Sequence, residues 1–261
     1  MKYPIIFIFV IVTILSSISH CYSEDNKSKA LCPIVSSEQK KTLTPFPDKE
    51  WMHKIVKRHE FEEEGWALVD RGLLNEAILK FRAATDPSLL NNEGDKVFAL
   101  WAISDIYRYQ GKLNEALELH EKYILPLNPS KDEYIEKRLE LIALIRARET
   151  KSNKPIYDYI NYLKTKYEKY LPPKGYATPY SSKIEDLIHL YDYMHDYDSG
   201  VAFIDEIIKY HTNHPNKSHR SAHAKDVAEY ARVKQAWELD KKTGKHGHLQ
   251  DVIKTSDFIS W

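Results

Sequence analysis

The chain has 261 residues, enough for one large domain or two small ones, with 38 lysines and arginines against 38 aspartates and glutamates. This balance excludes the basic excess of a non-specific nucleic-acid binder, and 43% hydrophobic with 29% charged residues excludes a disordered chain. Because only 8 residues are glycine and many are Leu, Ile, Ala and Glu, we expect a helical protein. From the charge balance we expect no nucleic-acid partner.

The N-terminal segment 1–23 has the layout of a secretory signal peptide. One lysine precedes an uncharged apolar stretch from Ile5 to about Leu15, and small and polar residues follow it. Cleavage after Ser19 or after Ser23 fits this layout, and the alternative is an uncleaved membrane tether through residues 4–18. We therefore predict an exported protein, which is periplasmic, on the cell surface or secreted, or else anchored in a membrane.

The rest of the chain divides into three parts. Residues 24–50 are polar, contain three prolines and are expected to form a flexible lead-in. A folded domain is predicted over 51–243 and a short tail over 244–261. Cleavage after Ser23 leaves Cys32 as the single cysteine, so we expect no internal disulfide and a fold stabilised by packing.

A seven-residue motif occurs twice in the folded part. GLLNEAI begins at Gly72 and GKLNEAL at Gly111, with five identical positions and an interval of 39 residues. That interval is typical of stacked helical hairpins. In each copy the glycine is expected to end a helix in the left-handed conformation. Ala77 and Ala116 are expected where two antiparallel helices cross closely.

The pattern resembles the tetratricopeptide repeat (TPR) family. The matching positions are Gly65, Leu68, Gly72, Leu74, Ala77, Phe81 and Ala84 in the first copy, and Ser104, Tyr107, Gly111, Leu113, Ala116, His120 and Tyr123 in the second. The second copy departs from the family at its last two positions, where His120 replaces a large apolar ring and Tyr123 replaces a small residue. Its second helix is therefore expected to pack more loosely or at a wider angle.

Later segments extend the array. In HDYDSGVAFIDEII, Tyr197 and Gly200 fit the corner and crossing positions, and the interval from Ala116 to Gly200 leaves room for two units. The unit between lacks a corner signature. SHRSAHAKDVAEYARVKQAWELDKK predicts a helix of about 20 residues that ends near Gly244 and caps the last unit. The final stretch HLQDVIKTSDFISW is expected to fold back rather than to act as a recognition tail.

The resulting prediction of fold class is all-α: a right-handed α-solenoid of about four TPR-like hairpins plus a C-terminal capping helix. The resemblance implies that the first helix of each hairpin lines a concave face that binds a protein or peptide. The expected contact residues are His59, Glu62, Trp66 and Val69 in the first copy, Phe98, Trp101, Asp105 and Arg108 in the second, and Ser182, Glu185, His189 and Asp192 in the late copy. The alternative for Trp66 and Trp101 is helix–helix packing.

Enzymatic chemistry has no positive signal in the sequence. It contains no glycine-rich phosphate loop and no Gly-x-Ser-x-Gly elbow. The densest histidine cluster could indicate zinc, but no acidic residue lies between its last two members, and a solvated loop explains the cluster as well. Its members are His211, His214, His219 and His223. His246 and His248 flank Gly247 in another polar turn, for which a solvated loop is also expected. We predict no catalytic residue, no metal and no cofactor.

The function predicted from the sequence is that of an exported, non-enzymatic adaptor or assembly factor that binds a protein or peptide through its concave face. One alternative is a membrane-tethered structural protein whose C-terminal tail contacts the partner. A second alternative is a zinc-dependent hydrolase built on the histidine cluster between 211 and 223.

Overall fold

A computed structural model describes residues 49–127, 129, 131–171, 181–213 and 220–252. These residues form helices and short turns and contain no strand, which confirms the all-α prediction. The predicted signal peptide, the lead-in up to residue 48 and the end of the tail from residue 253 lie outside the described residues.

The helices follow one another along the chain, and each packs against the next. Their bounds are α1 Lys49–Asp70, α2 Leu74–Ala84, α3 Val97–Tyr109, α4 Leu113–Leu119, α5 Asp132–Thr150, α6 Lys154–Lys166, α7 Ser181–Met194, α8 Tyr197–Asn213, α9 Arg220–Thr243 and α10 His248–Val252. Short 3₁₀ turns at Pro87–Leu89 and Glu93–Lys96 occupy the connection between α2 and α3.

The two glycines of the repeated motif end helices as the sequence predicts. Gly72 has φ of 73° and Gly111 has φ of 71°, both in the left-handed region. At the first corner the Leu73 N–H donates to the Leu68 carbonyl at 2.9 Å, and the Gly72 N–H donates to the Val69 carbonyl at 2.9 Å. The same pair of bonds closes the corner at Gly111, so the motif forms one structure twice.

Two further corners have this geometry without a glycine. Lys151 has φ of 52° and His195 has φ of 54°. The N–H of the next residue reaches back to the Ala147 carbonyl in the first case and to the Tyr191 carbonyl in the second, each at 3.1 Å. The four corners are 39, 40 and 44 residues apart. Because a left-handed residue with a side chain costs roughly 1–2 kcal/mol, the surrounding packing must impose these two.

Small residues lie at the close contacts between helices. Ala77 and Ala116 are fully buried within their helices, as expected for crossing positions. A Cβ atom added to Gly65 would lie 2.8 Å from the Phe81 ring, so the first hairpin requires glycine there. At Gly200 the space is filled by the Trp237 ring of α9, so this glycine allows α9 to pack closely against α8.

The second hairpin changes form where its sequence departs from the first copy, which has Phe81 and Ala84 in place of His120 and Tyr123. Regular α4 ends at Leu119, and His120–Ile124 continue as a π-helix, which accommodates one extra residue. Tyr123 is exposed, and the fully buried position passes to Ile124. His120 is also fully buried, and its Nε2 donates to the Tyr134 carbonyl at 2.5 Å. A locally widened helix therefore keeps the core filled.

The buried apolar residues form two clusters. One joins the first hairpin to α3, and the other extends from α4 to α10. Tyr107 and Tyr109 are partly buried and pack against both clusters. The predicted terminal helix is confirmed as α9, which ends before Gly244 at φ of 66° and buries Trp237 completely.

Candidate partner-binding surface

The four candidates on α1 differ in accessibility. The His59 side chain is exposed, whereas Glu62 and Val69 are buried. Trp66 is half-buried, and its ring meets the Phe81 ring edge-on at 5.1 Å. Burial raises the pKa of Glu62 against the opposing effects of Arg58 and His59. On this helix His59 is the candidate most accessible to a partner.

On α3 the accessible candidate is Phe98, which is 52% exposed. Trp101, one turn further on, is half-buried between two rings, at 5.6 Å from His120 and 5.5 Å from Tyr134. Trp101 therefore contacts the second helix of its own hairpin and the first helix of the next one. Both tryptophans singled out from the sequence pack between helices and keep only part of their surface in solvent.

The other two candidates on α3 belong to a buried charge network, which we call the α3–α5 network. Arg108 donates from Nη1 to the Glu140 Oε1 at 3.0 Å. The Lys137 Nζ lies 3.0 Å from the Asp105 Oδ1 and 3.2 Å from the Glu140 Oε2. Two cations and two carboxylates thus neutralise one another between α3 and α5, where their charges are protected from solvent.

Burial and the neighbouring cations shift the pKa values of the two carboxyls in this network in opposite directions. Burial disfavours ionisation of Glu140, but the charges of Lys137 and Arg108 outweigh it and lower the pKa of this carboxyl to about 2. For Asp105 burial is the larger effect, and its pKa is raised although Lys137 and Arg108 oppose the shift. Removing either cation would leave a buried carboxylate without sufficient compensation.

A second group of charges continues the network between α5 and α7. The Glu136 carboxylate lies 2.8 Å from the Lys166 Nζ and 2.9 Å from the Lys183 Nζ, and accepts a hydrogen bond from the Tyr167 hydroxyl at 2.5 Å. Burial opposes ionisation of Glu136, but these donors together lower its pKa. One signal for this group is visible in the sequence of α5, where Glu136 and Glu140 lie one turn apart with Lys137 beside them. Their partners on other helices were not foreseeable.

The late copy contributes less accessible surface. Glu185 is half-buried and His189 is buried, while Ser182 lies in α7 with a side chain outside the described set. Asp192 is half-buried and accepts a hydrogen bond from the Trp237 Nε1–H at 2.8 Å. Burial raises the pKa of Asp192 to about 6. These residues serve mainly to join α7 to its neighbours.

Several polar rings meet at the fourth corner. The Tyr197 hydroxyl lies 3.1 Å from the His195 Nδ1 and 2.9 Å from the His246 Nδ1, and the two imidazoles stack at 3.8 Å. The His248 Nδ1 pairs with the buried Asp240. The turn with His246 and His248 was expected to be solvated. His246 remains exposed but attaches the turn to the fourth corner, whereas His248 attaches it to α9 through Asp240.

Within the described ranges, no group of three or more His, Cys, Asp or Glu side chains has an arrangement that could hold a metal ion. Of the histidine cluster noted in the sequence, His211 is buried, His214 and His219 lie outside the described residues, and the side chain of His223 is likewise not described. None of the described helices is both long and apolar enough to cross a membrane.

No protein-family model, curated protein or solved structure matches the chain.

Proposed function

We propose that this chain is a non-enzymatic, TPR-like α-solenoid that binds a protein or peptide partner. The binding surface is the face formed by α1, α3, α5 and α7, which we call the first-helix face. The observation that carries the proposal is the recurrence of one helix-ending geometry at Gly72, Gly111, Lys151 and His195. The proposal includes export or membrane anchoring, supported by the layout of the N-terminal segment 1–23.

The corner geometry supports a stack of similar units because each corner reverses the chain between two packed helices. Helices packed in chain order, at intervals of 39 to 44 residues between corners, are what a stack of hairpins requires. Such stacks present a continuous face made of equivalent helices, and that face is the usual place for a partner. A protein that binds a partner but catalyses no reaction is suited to an adaptor or assembly role.

The accessible side chains define where a partner would bind first. His59 precedes Gly72 by the same interval as Phe98 precedes Gly111, so the two hold equivalent positions on α1 and α3. Both are exposed, and Phe98 offers a large apolar ring, the type of side chain that contributes most when a partner covers it. By contrast, Arg108 is engaged with Glu140, so its removal would report on folding rather than on binding.

The direct test is affinity capture from the source cells with the double variant His59→Ala/Phe98→Ala. We expect it to lose at least tenfold of the partner recovered by wild type, about 1.4 kcal/mol of binding free energy, with an unchanged far-ultraviolet circular dichroism spectrum. Leu79→Ala, an exposed apolar residue on α2, is the matched control and should capture the partner normally. Equal recovery by wild type and the double variant would contradict the first-helix face as the binding surface.

Export is tested separately by mass spectrometry of the mature N-terminus. A chain beginning at His20 or at Glu24 supports cleavage and export, while an intact Met1 supports a membrane tether.

A further inference from the structure

The two halves of α1 have different surroundings. The helix has 22 residues and is therefore about 33 Å long, twice the length of the 11-residue α2 that pairs with it. Its buried residues are Glu62, Gly65 and Val69, all in the second half. The first half, residues 49–60, which we call the leading half, extends beyond this packed region.

The leading half nevertheless carries large apolar side chains. Trp51, Met52 and Val56 are 38%, 42% and 50% exposed, and Ile55 is half-buried. At about 100° per residue these four side chains share one side of the helix, within an arc of about 140°. An apolar stripe of this width on a solvent-facing helix indicates a second surface that covers it.

Cations accompany the stripe. Lys49 lies at one border of the apolar arc, and Lys54 lies toward the other. The leading half contains four Lys or Arg and two Glu, so it carries a net charge of +2 in a chain whose formal net charge is +0. Lys54 and Lys57 form ion pairs with Glu50 and Glu60, at 3.3 and 3.0 Å, and these pairs involve exposed carboxylates that contribute little stability.

The charge changes sign immediately after the leading half. Glu62, Glu63 and Glu64 follow the leading half in sequence. Within the leading half, Arg58 is held by Asp95 at 3.0 Å, so the three lysines are the cations that face solvent. The positive charge and the exposed apolar stripe therefore coincide over only three turns. A small stripe with lysines toward its borders matches the chemistry of an anionic bilayer surface, where apolar side chains enter the headgroup region and lysine ammonium groups reach the phosphates.

We propose that the leading half of α1 binds the surface of a membrane that contains anionic phospholipids. Trp51 is suited to the headgroup level because its indole combines an apolar ring with an N–H donor. Lysines near an anionic surface strengthen the attachment, and apolar side chains that enter the headgroup region add to it. Binding through α1 would orient the first-helix face relative to the bilayer. It goes beyond the proposed partner binding because its contacts are the apolar stripe and the lysines rather than His59 and Phe98.

The apolar stretch from Ile5 to about Leu15 lies upstream of this helix in the chain. If that stretch is retained, it holds the leading half near a bilayer and raises its effective concentration there. If it is removed, the leading half is left as the membrane contact near the new N-terminus. The experiment must therefore read out the leading half itself rather than the recovery of the whole chain with vesicles.

The test is hydrogen–deuterium exchange of the full chain, with its natural N-terminus, in the presence of vesicles. We expect phosphatidylcholine vesicles containing phosphatidylserine to slow amide exchange in residues 49–60 by about tenfold or more. Vesicles of phosphatidylcholine alone should not do so. Residues 73–84 serve as the internal reference for the folded hairpin. Equal protection by both kinds of vesicle, or no protection by either, would overturn the proposal.

Variants separate a lipid contact from other causes of protection. Met52→Glu and Val56→Glu should each reduce the protection and together abolish it. Leu79→Glu, which like each single variant adds one glutamate at an exposed apolar site, should preserve it. Lys49→Gln and Lys54→Gln should each raise, about fivefold in low salt, the concentration of phosphatidylserine-containing vesicles that gives half of the protection in residues 49–60. Protection that persists in Met52→Glu/Val56→Glu, or that is unchanged in Lys49→Gln and Lys54→Gln, would overturn the proposal and place the lipid contact elsewhere.

Discussion

The first two hairpins contain the same seven-residue motif and the same corner, yet their first helices are stabilised by different interactions. On α1 the residue three before the corner is Val69, fully buried against apolar neighbours. On α3 the equivalent residue is Arg108, which is bonded to Glu140 of the next hairpin. The difference shows that the motif determines the corner, while the neighbouring helix determines which interaction holds the residue three positions before it.

The comparison extends to the other two hairpins at the same position. Arg148 precedes the corner at Lys151 by three residues and donates to the Gly111 carbonyl at 3.0 Å. Asp192 precedes the corner at His195 and accepts from the Trp237 N–H. One equivalent position thus holds an apolar, an ion-paired, a corner-capping and a half-buried acidic side chain, and each can be tested by substitution.

The largest effect is expected for Arg108→Ala. This change leaves the Asp105 and Glu140 carboxylates buried with Lys137 as their remaining cation, and should lower the free energy of unfolding by about 3–5 kcal/mol. Urea denaturation measures the effect. Arg138→Ala, which removes an exposed pair with Glu121, is the control and should cost no more than about 1 kcal/mol. Equal losses for the two variants would argue against the α3–α5 network.

A smaller effect, of opposite sign, is expected for Asp192→Asn. Because burial raises the folded pKa from 3.8 to about 6, the folded state binds a proton that the unfolded state has released within that range. Stability of the wild type therefore falls as the pH rises through this window, and the cost is complete above it. Asparagine keeps an acceptor for Trp237 but carries no charge. It should stabilise the fold by up to about 3 kcal/mol at neutral pH.

Thermal unfolding at about pH 4 and about pH 8 measures this difference. The advantage of Asp192→Asn should be present at the higher pH and largely absent at the lower one. An advantage that is independent of pH, or a loss at both values, would show that the carboxylate is not destabilised by burial. Asp205→Asn, at an exposed carboxylate paired with Lys234, provides a pH-matched control.

A still smaller effect is expected for Arg148→Ala. The side chain donates to the carbonyl of the glycine that forms the second corner, and its loss should cost about 1 kcal/mol, the usual net contribution of one hydrogen bond. Chemical denaturation measures it against Arg146→Ala on the same helix. A cost of several kcal/mol would indicate that this arginine, like Arg108, balances buried charge.

The smallest effect concerns the corner that the sequence did not reveal. Lys151→Gly should stabilise the fold by about 0.5–1 kcal/mol, because glycine accepts φ of 52° without the strain of a side chain but loses more entropy on folding. The reciprocal change Gly72→Ala should destabilise by about 1 kcal/mol at a corner with φ of 73°. Should both changes destabilise, the Lys151 side chain must contribute contacts that outweigh its strain.

The features that the sequence predicted share a local cause. Gly72 and Gly111 indicate a left-handed residue, Ala77 and Ala116 indicate a close crossing, and α9 follows from its uninterrupted helical composition. The corner at His195 was indicated only by the residues after it, Tyr197 and Gly200, and not by a glycine. Lys151 adopts the same backbone conformation without any sequence signal, under the constraint of tertiary packing. A pattern within one segment therefore predicts corners better than it predicts the number of units.

The accessibility of the candidate residues was beyond the reach of spacing arguments. An interval measured from a corner tells which side of its own helix a residue occupies, but not what the next hairpin places against that side. Asp105 and Arg108 are buried against α5, the first helix of the next hairpin, where Lys137 and Glu140 neutralise their charges. Phe98, which was also selected by its interval from Gly111 and lies one turn before Trp101, stays exposed.

The π-helical turn at His120–Ile124 has a consequence for how the helix that begins at Leu113 tolerates a change in length. A helix that widens by one residue takes up an insertion at the point where it occurs, so Tyr123 moves outward and Ile124 fills the core in its place. Leu113 and Ala116 before this turn and Tyr134 after it are buried. A helix that contains such a turn can therefore change in length by one residue while the buried residues on both sides of the turn stay buried.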